Sequence, residues 1–248
     1  MQLSGLSVVL ALLAADCIAQ APPAATVVLL HGLARSASSM DDMARSLEQA
    51  GYRVCNIDYP SREHEIAELA AKFVAPEIAR CVADPAQPLN FVTHSMGGIV
   101  VRELARTGAV QPIGRVVMLG PPNHGSEVVD RLGGWSIFGA INGPAGGQLG
   151  TAEDSVPQSL GPAGFEVGVI AGNHTINWIN SLMIPGPDDG KVSVESAKLE
   201  GMRDFVIVPE SHPFLMMDPQ VIGLTIGFLQ SGCFAPATGI CAAAPEGE

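Results

Sequence analysis

The sequence predicts an α/β protein in which a mostly parallel central sheet is flanked by helices. Short apolar runs alternate with segments of helical spacing along the chain, which is typical of consecutive βαβ units. The apolar runs are nearly continuous, which indicates strands that are buried on both faces of a sheet. With 248 residues, 47% of them hydrophobic and 15% charged, the chain is long and apolar enough to form one large core.

Six runs carry the strand pattern. Each is short and rich in Val, Ile, Leu or Phe, which are residues that favour buried strands. In chain order they are Thr26–Leu30, Tyr52–Ile57, Leu89–Thr93, Arg115–Leu119, Phe165–Ala171 and Phe205–Val208.

Four segments carry helical spacing, and they follow the first, second, third and sixth of these strands. They are Ser38–Ala50, Glu63–Val82, Gly97–Arg106 and about Pro219–Gln230. In the second segment, apolar residues at 66, 69, 73 and 78 fall on one helical face. Pro76 is expected to kink or interrupt that helix, because proline has no backbone N–H.

Residues 133–164 break the alternation between two strands. The segment is rich in Gly, Pro and Ser and is too long for an ordinary connection. It is expected to form either a small cap or lid over a site, or an irregular insertion. No linker divides the chain, so residues 26–230 are expected to form one domain, followed by a tail at 231–248.

The N-terminus predicts an exported protein, periplasmic or secreted. Residues 6–15 form an apolar run that is shorter than the roughly 20 residues of a spanning helix. Cys17 and Ala19 are small residues that suit cleavage after Ala19, so residues 1–19 are interpreted as a signal peptide. No Lys or Arg precedes the run, and the alternative is an uncleaved apolar tail.

The cysteines agree with export. Without residues 1–19, four cysteines would be left, and an even number in an exported chain predicts disulfides. The economical pairing is Cys55–Cys81 and Cys233–Cys241. Free buried thiols at positions 55 and 81 are the alternative.

The charge excludes nucleic acid as an expected partner. The chain has 13 basic and 25 acidic residues, a net charge of −12, and no run rich in Lys and Arg that could bind phosphates. No His and Cys residues are spaced as zinc ligands. We therefore expect neither a metal nor an organic cofactor.

Ser95 lies in a tight turn between a predicted strand and a predicted helix, in the stretch Thr93-His94-Ser95-Met96-Gly97-Gly98. A nucleophile elbow has the pattern G-x-S-x-G on such a turn, which presents the serine hydroxyl to a substrate. Thr93 replaces the first glycine here. We predict that Ser95 is a nucleophile; the alternative is an ordinary strand-to-helix connection.

His31-Gly32-Leu33 follows the first strand and predicts the second part of the site. A serine that attacks an ester needs backbone N–H donors for the developing oxyanion. In this arrangement the donors come from the residue after the nucleophile and from the loop after an earlier strand. They are predicted to be the backbone N–H groups of Met96 and Leu33.

A serine nucleophile also needs a histidine base, which in turn needs a carboxylate to orient it. Of the six histidines, His212 alone both follows the acid in chain order and lies between a strand and the last helix. The acid is predicted to be Asp189, which precedes Gly190, in preference to Asp188.

Six segments together resemble the small bacterial lipase and esterase branch of the α/β-hydrolases, with some similarity to GPI inositol-deacylase-like hydrolases. They are VVLLHGL, YRVCNIDYPS, FVTHSMGGIVVREL, RVVMLGPPNHGSEVVD, PDDGKVSVESAKL and ESHPFLM. The resemblance implies an α/β-hydrolase fold, a Ser95–His212–Asp189 triad, and oxyanion donors at Leu33 and Met96. It also implies that His124 lies near the site as structural support.

The function implied is hydrolysis of carboxylic esters through an acyl-enzyme. The expected substrate is a small-molecule or lipid ester, with transient contact to a lipid interface as a further expectation. Lipase and short-chain esterase activity are both open. An acyltransferase or thioesterase would use the same triad, and a non-catalytic binding protein with this fold is the alternative from another class. The oligomeric state is not predicted.

Overall fold

The computed structural model describes residues 25–132, 136–176 and 178–234. The predicted signal peptide at 1–19, Cys241 and the tail beyond residue 234 lie outside the described residues. No helix among the described residues is long and apolar enough to cross a membrane.

A six-stranded sheet forms the centre of the fold. Its strands are β1 (Thr26–Leu30), β2 (Arg53–Ile57), β3 (Leu89–His94), β4 (Ile113–Leu119), β5 (Val167–Gly172) and β6 (Asp204–Val208). They pair in the order β2-β1-β3-β4-β5-β6, and every pair is parallel. The predicted α/β architecture is confirmed, and the predicted strand bounds are within two residues of those observed.

Ten α-helices are described. They are α1 (Asp41–Gln49), α2 (Ile66–Glu68), α3 (Ala75–Cys81), α4 (Met96–Thr107), α5 (Glu127–Leu132), α6 (Ser136–Gly147), α7 (Val156–Ser159), α8 (Trp178–Ser181), α9 (Val194–Ala197) and α10 (Pro219–Ser231). A 3₁₀ turn, Ala37–Met40, leads into α1.

The predicted helix at 63–82 is interrupted near Pro76, as expected, but by a π-helical turn. This turn, Leu69–Val74, joins α2 to α3. Pro76 lies in the first turn of α3, directly after the π-helical turn. The helical path therefore continues through the proline, with a change of helix type just before it.

The segment at 133–164 is more regular than its composition predicts, because it contains α6 and α7. The chain kinks within α6 at Gly143, where φ is 64° and ψ is −169°. A Cβ atom there would lie 1.7 Å from the carbonyl oxygen of Arg62, so only glycine fits. Glycine and proline hide the helical spacing in the sequence.

Both faces of the sheet are buried, which explains the continuous apolar runs. Val28 and Leu30 of β1 face a core shared with α4, whereas Val27 and Leu29 face a second core that includes α1 and α10. Since all the strands are parallel, their carboxyl ends lie at the same end of the sheet. The loops that follow β1, β3, β5 and β6 therefore meet there.

The Cys55–Cys81 disulfide is confirmed. It joins β2 to the end of α3. Cys233 is also disulfide-bonded. Its predicted partner, Cys241, lies outside the described residues.

Candidate active site

Ser95 occupies the turn between β3 and α4 in a strained backbone conformation. Its φ of 53° and ψ of −125° lie in a region that residues other than glycine rarely adopt. Two backbone hydrogen bonds hold the turn: Ser95 N–H donates to the Leu119 carbonyl at 2.8 Å, and Gly98 N–H donates to the Ser95 carbonyl at 2.9 Å. Strain that is held in this way is common at functional sites.

Gly97 permits the close approach that the turn requires. A Cβ atom at this position would lie 2.6 Å from the carbonyl oxygen of Leu30 in β1. Thr93, which replaces the usual first glycine of the elbow, is fully buried at the end of β3. The tightest backbone contact of the turn with β1 therefore falls on Gly97.

His212 connects Ser95 to Asp189. Its Nε2 lies 3.0 Å from Ser95 Oγ, and its Nδ1 lies 2.7 Å from Asp189 Oδ2. His212 and Asp189 are both buried. His212 follows β6 and Asp189 follows β5. Because the carboxyl ends of the parallel strands lie at the same end of the sheet, both residues lie near the end of β3. The structure thus brings the three predicted residues into one hydrogen-bonded series.

The neighbouring acids, Asp188 and Asp189, have different partners. The Oδ1 of Asp189 accepts from the backbone N–H groups of Lys191 at 3.0 Å and Val192 at 2.9 Å, which leaves Oδ2 for His212. The Oδ1 of Asp188 accepts instead from Ser181 Oγ and from the Gly190 N–H. Asp189 therefore contacts the histidine, whereas Asp188 bonds to Ser181 and Gly190.

Two glycines that the sequence analysis missed make room for this pair. A Cβ atom on Gly120 would lie 2.9 Å from Asp189 Oδ2 and 3.1 Å from His212 Nδ1. A Cβ atom on Gly172 would lie 2.3 Å from the carbonyl oxygen of Glu210 and 2.9 Å from Asp189 Cβ. Gly120 follows β4 and Gly172 ends β5, and this position at a strand end is the signal in the sequence.

The loop after β1 packs directly on the elbow. Gly32 allows this, since a Cβ atom there would lie 2.7 Å from His94 Nδ1 and 3.0 Å from Ser95 Cβ. Leu33 and Ser95 then line one cavity. The N–H of Met96 lies at the first position of α4, where a backbone N–H has no acceptor within the helix. The assignment of Leu33 and Met96 as oxyanion donors stays a prediction.

His31 braces the same loop as a neutral side chain. Its Nδ1–H donates to the Gly32 carbonyl at 2.9 Å, and its Nε2 accepts from the Tyr59 N–H at 3.3 Å. The imidazole ring of His31 also stacks on the phenol ring of Tyr59, with centroids 4.1 Å apart. Burial lowers the pKa of His31, in agreement with this neutral form.

His94 supports the loop that carries His212. It is 1% exposed, and its Nε2–H donates to the His212 carbonyl at 2.9 Å. Burial, followed by the adjacent His212, lowers the pKa of His94 well below its usual value. His124 is exposed and does not line the cavity. The buried neighbour Asn123 anchors this region by donating to the Ala197 carbonyl at 2.9 Å.

A cavity of about 420 Å³ opens beside Ser95 and His212. Much of its wall is apolar and is formed by Leu33, Val128, Val129, Leu149, Ile176 and Val192. Arg35 and Lys191 also line it. Among residues 25–132, 136–176 and 178–234, no cluster of three or more His, Cys, Asp or Glu side chains is placed to hold a metal ion. The arrangement can place an apolar group next to the Ser95 hydroxyl.

Comparisons with known proteins agree with this architecture. Solved structures with a similar fold include a Bacillus licheniformis lipase in its mature form, with a TM-score of 0.65 and 20% identity over 84% of this chain and 93% of that one. Phospholipase PlaB from Legionella pneumophila has a TM-score of 0.65 and 19% identity over 86% and 58%. Aspergillus fumigatus lipase B has 0.65 and 14% over 89% and 57%.

These likenesses show the fold, and the chain spans little more than half of the phospholipase and the fungal lipase. A search of curated proteins found no match. The sequence model described as "Alpha/beta hydrolase family" matches residues 27–220, from β1 to the start of α10. The chain therefore belongs to the α/β-hydrolase family.

Proposed function

We propose that this protein is a serine hydrolase that cleaves carboxylic esters through an acyl-enzyme intermediate. The observation that carries the proposal is the hydrogen-bonded series from Ser95 through His212 to Asp189 at the wall of a cavity. In this proposal Ser95 is the nucleophile, His212 is the general base and acid, and Asp189 orients the imidazole.

The spacing of the three side chains supports proton transfer. As Ser95 Oγ attacks the ester carbonyl, His212 Nε2 takes the hydroxyl proton across the 3.0 Å contact. Asp189 accepts the Nδ1–H of the ring and stabilises the imidazolium that forms. The imidazolium then protonates the leaving alcohol, and a water activated by the same histidine releases the acid and restores Ser95.

Backbone donors would stabilise the negative charge on the carbonyl oxygen. The N–H groups of Leu33 and Met96 are assigned this role, because the Gly32 loop packs against Ser95 and Met96 begins α4. Each donor of this kind contributes about 3–4 kcal/mol to the stability of the transition state.

The cavity would hold the acyl group, with residues 133–164 as a cap. Two residues of this segment, Asn142 and Leu149, line the cavity, which supports the assignment. A lid that responds to lipid would make activity rise above the solubility limit of the substrate. An open cap would leave a short-chain esterase without that rise.

The proposal includes the organisation of the chain. Residues 26–230 are assigned to the hydrolase domain and 231–248 to a tail. The Cys55–Cys81 disulfide supports an exported protein with a signal peptide at 1–19. Mass spectrometry of protein recovered outside the cytoplasm of an expression host would test cleavage after Ala19; a retained residue 1 would contradict it.

Hydrolysis of p-nitrophenyl esters, from acetate to palmitate, tests the reaction. Ser95→Ala is expected to lower kcat by about 10⁶ and to abolish labelling by a fluorophosphonate. The matched control is Ser231→Ala, an exposed serine at the end of α10 and away from the cavity, which should behave as wild type. Full activity in Ser95→Ala, or no labelling of the wild type, would reject the proposal.

The same experiment separates the related reactions. A thioester that is cleaved faster than the matched oxygen ester would favour a thioesterase. Transfer to an added alcohol that outruns hydrolysis would favour an acyltransferase. Activity on none of these substrates, without labelling, would favour a binding protein.

A further inference from the structure

Two cationic side chains line the cavity beside Ser95. Arg35 lies two residues after Leu33, and Lys191 lies two residues after Asp189. The loops that position the predicted oxyanion donor and the acid each therefore bring a positive charge to the same cavity. This is unexpected in a protein whose net charge is −12.

Neither cation forms a salt bridge with any described residue. Arg35 donates from Nη2 to the Pro213 carbonyl at 3.2 Å, which leaves its charge uncompensated. Among the described residues that line the cavity, Asp189 has the one carboxylate, and it is occupied by His212 and by two backbone N–H groups. By contrast, seven other Lys and Arg side chains lie next to carboxylates: Arg45, Lys72, Arg80, Arg106, Arg115, Lys198 and Arg203.

The two charges also act on each other. Burial lowers the pKa of Arg35, and it is the largest cause of a lowered pKa at Lys191. The positive charge of Arg35 lowers the pKa of Lys191 further, and the nearby Asp189 carboxylate offsets only part of this lowering. The repulsion between two like charges at one cavity wall raises the free energy of the empty site. Lys191 is exposed, so water screens part of this repulsion but does not remove it. An anion bound between them would remove that cost.

We propose that Arg35 and Lys191 bind a negatively charged oxyacid group, a carboxylate or a phosphate, on the ester that this enzyme cleaves. The inference rests on the proposed ester hydrolysis. The apolar wall at Val128, Val129 and Leu149 takes the hydrocarbon part of the same molecule. The substrate is then an anionic amphiphile, and Arg35 and Lys191 determine specificity.

Two matched substrate pairs test the inference in the full chain. The first pair is mono-p-nitrophenyl adipate and its neutral methyl ester, which differ by a carboxylate on the acyl side. The second is dihexanoyl phosphatidic acid and dihexanoylglycerol, which differ by a phosphate on the alcohol side. In at least one pair, wild-type kcat/KM for the anionic member should exceed that for the neutral member by about tenfold or more. Added salt should reduce this ratio.

Substitutions assign the preference to the two residues. Lys191→Gln and Arg35→Gln should each lower the anionic-to-neutral ratio, Lys191→Glu should lower it further, and Lys191→Arg should keep it. The control is Arg53→Gln. Arg53 is exposed at the start of β2, at the end of the sheet opposite to the cavity. Its removal changes the net charge without touching the cavity.

Each outcome decides a different point. Neutral esters hydrolysed as fast as anionic ones in both pairs would overturn the inference and leave the proposed ester hydrolysis intact. Equal losses on both members in Lys191→Gln would mean that Lys191 only positions the loop of Asp189, which also overturns it. No hydrolysis of any ester by the wild type would reject the proposed function itself.

Discussion

His212 and Asp189 are joined twice. The backbone N–H of His212 donates to the backbone carbonyl of Asp189 at 2.9 Å, and the His212 ring donates from Nδ1 to Asp189 Oδ2 at 2.7 Å. The backbone bond fixes the loop after β6 to the loop after β5 without using either side chain. The Asp189 side chain can therefore be changed while the His212 loop keeps its place.

Asp189→Asn should lower kcat for ester hydrolysis by about 10⁴, as the loss of the acid does in comparable triads. The Asn oxygen can still accept from the N–H groups of Lys191 and Val192, so the loop should keep its shape. The amide nitrogen would then face His212 Nδ1 and favour the tautomer that carries its proton on Nε2. That tautomer cannot accept the proton of Ser95.

The matched control is Asp188→Asn. Its oxygen can still accept from Ser181 Oγ and the Gly190 N–H, so this variant should keep most of the wild-type kcat. Equal losses in Asp188→Asn and Asp189→Asn would refute the separate roles assigned to the two acids.

Gly32→Ala should lower kcat by about 10²–10³, the effect of losing one oxyanion donor. The added methyl group would lie 2.7 Å from His94 Nδ1 and 3.0 Å from Ser95 Cβ, so the loop that carries Leu33 must move away. Gly223→Ala serves as the control, because Gly223 is exposed in α10 and has open space around it. It should leave kcat unchanged and raise the free energy of unfolding by roughly 0.5–1 kcal/mol. A fully active Gly32→Ala enzyme would contradict the assigned role of the loop.

His94 should make the protein less stable in mild acid. Its pKa is lowered in the folded protein, whereas an unfolded chain has the ordinary value of 6.5. Above pH 6.5 the side chain is neutral in both states and has no effect. Below that pH, the unfolded state takes up a proton that the folded state does not, so the free energy of unfolding falls by up to about 1.4 kcal/mol per pH unit.

Urea unfolding between about pH 7.5 and about pH 5.5 measures this effect through its pH dependence. His94→Asn should show a shallower loss of stability than wild type, whatever its absolute stability. His31, whose pKa is also lowered, contributes a loss of the same sign in both proteins. Identical pH dependence in the two proteins would show that His94 is not held neutral by burial.

Removal of the Cys55–Cys81 disulfide should lower the free energy of unfolding by roughly 3–4 kcal/mol on the chain-entropy account. The bond closes a loop with a sequence separation of 26, and neither cysteine lines the cavity. The double variant Cys55→Ala/Cys81→Ala should therefore keep kcat while its urea midpoint falls. An unchanged midpoint in the double variant would refute the prediction.

Local patterns in the sequence predicted most of the fold. The strands were predictable because parallel strands buried on both faces require continuous apolar runs, as in Val27–Leu30. The elbow around Ser95 was predictable because a sharp turn needs Gly97 next to the strand of Leu30. The helix α6 was not, because its glycines and Pro144 are residues of low helix propensity that tertiary contacts override.

The sequence by itself predicted the six strands, the order of Ser95, Asp189 and His212, and the pairing of Cys55 with Cys81 as the economical choice. Only the tertiary structure decided which oxygen of Asp189 meets His212, that Gly120 and Gly172 make room for them, and that Arg35 and Lys191 share a cavity. Ser95 and His212 are 117 positions apart. Their 3.0 Å contact depends on the order and register of the strands, which local residue patterns do not encode.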